Sequence, residues 1–350
     1  MERSVLRELV MLPTPSGFEF LASQKLKEIT GNPEISCDPL GNYYIWCAPK
    51  SNGNKPKIMI SAHLDEIGAV ITGETSEGLW RIGRRGGIDP KVLEGQVVWC
   101  YPDPIGKPDV KITGVIGKTA IHLEEQEARK KADELTDIYV DFGILQDSEK
   151  PCIGAPVVPE KHYIDLPGDF VCAPGLDDKA GIWVVLDVLD KIQEHIRNDR
   201  KGKPLDYDLV FVLCSQEEVG LRGANVAAQR IKPDISIDLD VSFAVDEGRG
   251  GNKIPAGSVK LGGGPLLSYG PDKDFRLMKE LSGFSDKFQE QATSAGGTNT
   301  SILQLNSGGC KAALVSIPQR NMHTPVEICS WDDIEGCSKM IIGYLKNLKF

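Results

Sequence analysis

Lys57-Ile58-Met59-Ile60-Ser61-Ala62 runs without interruption into His63-Leu64-Asp65-Glu66-Ile67-Gly68. An apolar run of strand length, with no polar alternation, signals a strand buried on both faces, as in parallel sheets covered by helices. Three further stretches repeat the pattern of an apolar run carrying acidic or imidazole side chains. Asp208 to Cys214 leads into Glu217 and Glu218, Ile235 to Val245 contains Asp240, and Ala312 to Ile317 leads to His323. Helical spacings lie between them. Ile182, Val185, Leu186, Leu189 and Ile192 share one face of a segment from Ala180, ANVAAQRI follows the Glu217 turn, and Trp331 to Leu348 closes the chain. At the other end, Leu6 and Val10 mark a short amphipathic helix stopped by Pro13 and Pro15. Strands alternating with helices predict an α/β fold, a three-layer α/β/α domain on a central, mostly parallel mixed sheet.

The middle of the chain reads differently. From about Ile71 to Pro167, short β-like stretches (LWRIG, QVVWCYP, VKITGVIG, IYVDFG, APVVP) are separated by Gly and Pro, with one charged helical piece near EEQEARKKADEL. That shift predicts an inserted, small, mostly-β domain over residues 71–167. The α/β domain is then split in sequence into 1–70 and 168–350 and rejoined in space.

A chain of 350 residues is long enough for such a two-domain plan. Its 41% hydrophobic and 26% charged content is that of an ordinary globular protein, and the net charge of −10 argues against nucleic acid or a basic membrane-surface role. No apolar run reaches transmembrane length, and the charges spread through MERSVLRELVMLPTPSG give no signal peptide. Nine cysteines, scattered and without a CxxC pair, fit reduced packing thiols, so a cytoplasmic location is expected.

In open α/β sheets ligands bind beyond the carboxyl ends of the strands. His63, the Glu217–Glu218 pair, Asp240 and His323 all fall at or near such ends, and Asp177-Asp178 opens a helix after a Pro-Gly turn. Neutral imidazole and carboxylate oxygens together suit zinc, cobalt or manganese. Two such ions about 3.5–4 Å apart need one bridging carboxylate and terminal ligands for each, and the inventory supplies them. In the His63-x-Asp65 spacing, positions i and i+2 of an extended segment share a face, so Asp65 is expected to accept a hydrogen bond from the second nitrogen of His63. Of the adjacent Glu217 and Glu218, one is free to ligate while the other serves as general base. Asp238 and Asp240 share one strand face and Asp246 is near, so spacing leaves the aspartate ligand open. As a lone pair, Asp177-Asp178 would cap the following helix. Arg222 has two readings, a substrate contact or a carboxylate partner, and His122, His162 and His195 read as surface or structural.

HLDEIG, LDDKAG, QEEVGLRGA, DVSFAVD, GGTNTS and MHTPVE occur in this order from the PSGFE stretch at Pro15 to the final helix. Together they resemble the metallo-aminopeptidases of peptidase family M42, the glutamyl and tetrahedral aminopeptidase group. The resemblance implies a cytoplasmic hydrolase removing N-terminal residues from peptides, with two divalent metal ions per subunit. It makes His63 and Asp240 ligands of one ion, Glu218 and His323 ligands of the other, and Asp177 the bridge. Glu217 becomes the general base for a metal-bridging water, with Asp65 orienting His63. It also implies a cis Asp177–Asp178 peptide, dimerisation through the inserted domain, and assembly of dimers into a dodecamer. Asn299 stands where the family more often has Asp, near the substrate pocket, and Ala120-Ile121-His122 replaces a more usual Pro-Pro-His. Two other functions fit parts of the pattern: deacylation of N-acyl amino acids at the same site, and a self-assembling scaffold without activity. The presence of both Glu217 and Asp177 disfavours the scaffold.

Overall fold

The computed structural model describes residues 1–32, 35–48, 55–123, 134–201, 203, 205–246, 259–294 and 296–350. Most of the charged EEQEARKKADEL stretch lies outside them.

Four parallel strands form the centre of an 11-stranded mixed sheet: Lys57–His63, Asp208–Cys214, Ile235–Phe243 and Lys311–Arg320. These are the four runs whose continuous hydrophobicity marks them in the sequence. The strands flanking this centre, Tyr43–Trp46 on one side and Glu327–Ser330, Phe170–Ala173 and Ile164–Leu166 on the other, pair antiparallel, so parallel pairing is confined to the centre and to the side pair Leu266–Tyr269 with Gln289–Ala292. The strand expected to reach Val245 ends at Phe243, where its register with Lys311–Arg320 runs out at Gln319.

The Lys57–His63 strand shows why no alternation is visible. Ile58, Ile60 and Ala62 enter the main core with the helices Leu176–Asn198 and Trp331–Asn347, whereas Met59 enters a second cluster with Val210, Val212, Cys214 and the helix Arg222–Ile231. Both faces are dry, so the interior positions are apolar except Ser61, whose buried hydroxyl donates to Asp238. Phe211 is fully buried in the main core, and truncating it to Ala would cost roughly 3–5 kcal/mol.

Six strands close into a separate barrel: Gly68–Glu74, Trp80–Arg85, Val97–Cys100, Ile112–Lys118, Ile138–Asp141 and Pro156–Pro159. Here period-two alternation operates. Val98 and Cys100 point into the barrel core, while Trp99 points outward to Tyr101 and Val158. The chain crosses between sheet and barrel twice, through Glu66 and through Lys161, and these two side chains form a buried ion pair that ties the crossings together. Among the described residues, no helix is long and apolar enough to cross a membrane.

Candidate metal centre

Parallel register brings the carboxyl ends of the central strands to one edge. Cys214 stands beside His63, and Asp238 beside Ser61, so His63, the turn after Cys214 and Asp240 meet there, joined by the loop after Arg320.

Asp177 is the hub. It opens the Leu176–Asn198 helix after left-handed Gly175, has non-helical backbone angles and precedes a cis peptide to Asp178. Its Oδ1 lies 2.9 Å from His63 Nε2 and its Oδ2 lies 3.3 Å from His323 Nε2. Asp240 Oδ1 is 3.8 Å from His63 Nε2, and Glu218 Oε1 is 3.2 Å from His323 Nε2. Two donor sets result, His63–Asp177–Asp240 and Asp177–Glu218–His323, each with its ligand atoms within 4.8 Å of one another. Asp178 serves the fold instead. Its Oδ1 accepts the Gly181 N–H at 3.0 Å, capping the helix, and its Oδ2 accepts the His63 N–H at 3.3 Å.

The aspartates that spacing could not separate have different partners. Asp238 accepts the Ser61 hydroxyl beneath the site, and Asp246 pairs with Arg320 at 2.6 Å, which leaves Asp240 facing His63. The relation between His63 and Asp65 differs from expectation. His63 Nδ1 donates to the backbone carbonyl of Asp65 at 2.9 Å, while the Asp65 Oδ1 is 3.7 Å away. The carboxylate is instead engaged by three other donors: the Ser16 hydroxyl at 2.6 Å, the Glu217 N–H at 2.9 Å and the Glu218 N–H at 3.2 Å. Asp65 thus fixes the acidic turn, and its carbonyl fixes the imidazole so that Nε2 faces Asp177 and Asp240. Gln216, with φ 53°, bends the chain before this turn, and its N–H is held by Glu19 at 3.0 Å. Glu218 joins the His323 set, whereas Glu217 stays outside both sets and lines the adjoining cavity of about 940 Å³ with His63, Asp177 and Asp240.

The electrostatics call for cations. Burial pushes the carboxyls of Asp178 and Asp240 well up, raises Glu218, and with neighbouring Asp240 and Glu218 pushes Glu217 to about 10. Asp177 goes the other way: burial opposes its ionisation, but hydrogen bonds from His323 and His63 hold it below the usual carboxylate range. Hydrogen bonds to Asp177 and Glu218 push His323 to about 11, and the Asp177 bond raises His63 despite its burial. Without a metal, the donor sets can offset their carboxyls only with protons, on the two imidazoles and on the carboxyls that burial raises. Divalent cations fit the arrangement in charge and in donor type.

The sequence also concealed contributors. The Gly86–Gly87 turn beyond the Trp80–Arg85 barrel strand presses on the centre: the Gly87 carbonyl lies 3.2 Å from His323 Nδ1, and a Cβ on Gly87 would lie 2.9 Å from that nitrogen. Buried Glu327 binds the backbone of both Asp177 and His323. The GG dipeptide and the last letter of MHTPVE were the available signals. Arg222 is exposed and reaches Gln216 Oε1 at 3.4 Å, and His195 pairs with Asp199 on the surface. Asn299 is fully buried beside Asp238.

The sequence matches the M42 glutamyl aminopeptidase family over residues 41–340. It is similar to the lysyl aminopeptidase of Pyrococcus furiosus, 27% identical with 99% of this chain and 97% of that protein covered. Among solved structures it is similar to the TET aminopeptidase of the marine sediment archaeon Thaumarchaeota archaeon SCGC AB-539-E09, 25% identical, with a TM-score of 0.86 and 99% and 96% of the two chains covered. It is also similar to the Pyrococcus horikoshii TET1 peptidase, described as able to assemble into a tetrahedron or a large octahedral shell. That match is 26% identical, with a TM-score of 0.80 and 99% of each chain covered.

Proposed function

The chain belongs to the M42 glutamyl aminopeptidase family, whose members are peptide hydrolases, and from that premise we propose that it removes the N-terminal residue of peptides at a site binding two divalent cations. The observation that carries this reading is the Asp177 carboxylate, which turns one oxygen to each imidazole. In this reading His63 and Asp240 hold one ion, Glu218 and His323 the other, and Asp177 both. The donor set admits zinc, cobalt or manganese. Such ions, when bound, supply Lewis acidity and lower the pKa of water.

The remaining chemistry belongs to the chain. Glu217 reaches the cavity from beside both donor sets and carries no ligand duty, which leaves its carboxylate free to accept the proton of the attacking water. The water oxygen adds to the scissile carbonyl carbon, the C–N bond breaks, and Glu217 returns the proton to the leaving nitrogen. Asp65 holds Glu217 and Glu218 by their N–H groups, so base and ligand keep a fixed spacing. A carboxyl-rich floor attracts the cationic α-amine of a peptide, which confines cleavage to the first residue.

The barrel, from the Gly68–Glu74 strand to the Pro156–Pro159 strand, is read as the inserted domain expected over residues 71–167 between 1–70 and 168–350; it starts slightly earlier and ends before Ile164–Leu166, which pairs in the main sheet. Helices on both faces of that sheet would make three layers. The barrel's contacts would pair subunits into dimers that build a dodecamer, by analogy with the assembling TET1 peptidase. The cytoplasmic location rests on nine unpaired cysteines.

The test is a set of paired aminoacyl anilides, free and N-acetylated, assayed after chelation and after return of zinc, cobalt or manganese. Metal-dependent cleavage of the free-amine series alone is expected. Cleavage of the acetylated series would make the protein a deacylase, and no cleavage with any metal would leave the scaffold.

A further inference from the structure

Two of the candidate ligands, Asp177 and His323, sit on backbone that secondary structure does not hold. Asp177 lies in the non-helical mouth of its helix, and His323 lies in a loop where both it (φ 61°) and Asn321 (φ 56°) adopt the left-handed conformation without being glycine. That conformation is unfavourable for a histidine and tolerated by an asparagine, so the loop needs an outside constraint at His323. Glu327 supplies one. It is 1% exposed, its Oε1 accepts the His323 N–H at 2.9 Å, and its Oε2 accepts the Asp177 N–H at 3.1 Å. Gln319 Nε2 approaches the same Oε2 at 3.5 Å. The placement follows from the sheet: Glu327 opens its strand opposite Ala173, and from Ala173 the chain runs through Pro174, Gly175 and Leu176 to Asp177.

We propose that Glu327 is a positioning residue for the metal centre, a carboxylate clasp that fixes the backbones of Asp177 and His323 at ligand spacing and thereby sets cation affinity at the His323 site. The inference rests on the two-cation reading. The chemistry requires a carboxylate, because both oxygens accept from backbone N–H groups. A glutamine offers one acceptor oxygen and would turn its own NH₂ toward the other N–H, leaving a buried donor unpaired. An aspartate keeps the charge but is one methylene shorter, so it spans the two N–H groups poorly. Glu327 touches neither substrate nor ion. It acts through His323, whose ring is 30% exposed and otherwise held by the Gly87 carbonyl, Asp177 and Glu218.

The test measures zinc and manganese binding by calorimetry, metal content, and melting of the chelated protein, for wild type, Glu327→Gln and Glu327→Asp. The expected result is two ions per wild-type subunit and, in both variants, the His323 site weakened about 10–100-fold and the other site, which shares Asp177, weakened less. The chelated variants should stay folded and melt cooperatively, with a modest drop for the unpaired N–H that is too small to account for the loss of affinity. Unchanged affinities at both sites in either folded variant would overturn the clasp. So would a loss of fold or melting temperature in both chelated variants that accounts for the affinity change, since Glu327 would then be a structural residue. Wild type that takes up no divalent ion would fail at the control, overturning the two-cation reading and the clasp with it.

Discussion

Replacing Glu217 by Gln isolates proton transfer from every other property of the centre. The amide has the shape of the carboxylate but cannot take up the proton of water. Glu217 belongs to neither ligand set, its side chain lines the cavity, and its backbone N–H stays on Asp65 Oδ1 at 2.9 Å whichever side chain it carries. Assembly and melting temperature should therefore match wild type, and so should metal content once metal is saturating. A general base contributes about 10²–10⁴-fold, equivalent to roughly 3–5 kcal/mol of barrier, and kcat should fall by that factor with KM little changed. The substitution also removes an ionisable group that burial pushes to about 10 in the metal-free centre. The variant should thus bind cations somewhat more weakly, which is met by assaying at saturating metal. Steady-state rates on a free-amine anilide, with metal content measured on the same samples, check the outcome. A metal-replete Glu217→Gln enzyme retaining more than about a hundredth of the wild-type rate would place the base elsewhere.

Three further perturbations follow from the same geometry. Gly87→Ala should push the His323 ring out of place, because its Cβ would lie 2.9 Å from Nδ1 and 3.0 Å from Cε1; a loss of about 10–100-fold in metal affinity is expected by calorimetry, and unchanged binding would show that the barrel does not orient that ligand. Lys161→Met strands the buried Glu66 carboxylate and should cost about 3–5 kcal/mol in urea unfolding. Adding Glu66→Gln should recover part of that loss, and strict additivity of the two substitutions would contradict the pairing. Asp333, buried in the first turn of the last helix, accepts the Gly262 and Gly264 N–H groups at 2.7 and 2.6 Å, and burial pushes its carboxyl up to about 7. Because the native state holds this proton while the unfolded chain releases it near pH 4, its stabilisation is present at low pH and lost as pH rises to about 7. Wild type should lose stability relative to Asp333→Asn over that window by up to about 1.4 kcal/mol per pH unit, and parallel unfolding profiles would refute it.

The centre of the sheet was legible because its strands are buried on both faces and each carries an acidic or imidazole group at or near the edge where the chain turns. Composition marked a mostly-β insert, since Gly and Pro punctuate its short strands, but not the closure of those strands into a barrel. What remained hidden depends on distance across the fold. Period two places Asp238 and Asp240 on one face and cannot separate them; their environments differ through Ser61 on the neighbouring strand, which engages Asp238. The His-x-Asp spacing identified the right pair and the wrong atom, because Asp65 turns its carboxylate to the Glu217–Glu218 turn and offers His63 its carbonyl. Glu327, Gly87 and the Glu66–Lys161 pair each act on residues far away in sequence, through backbone groups or burial that no local pattern encodes.

The most direct measurement is activity against metal equivalents in the chelated protein, with a free-amine anilide as substrate and bound metal counted at each step. The two donor sets sharing Asp177 predict no turnover without metal and a rate that reaches its plateau at two divalent ions per subunit. Full activity in the metal-free protein, or a plateau at one ion with the His323 site silent, would contradict the shared two-cation centre.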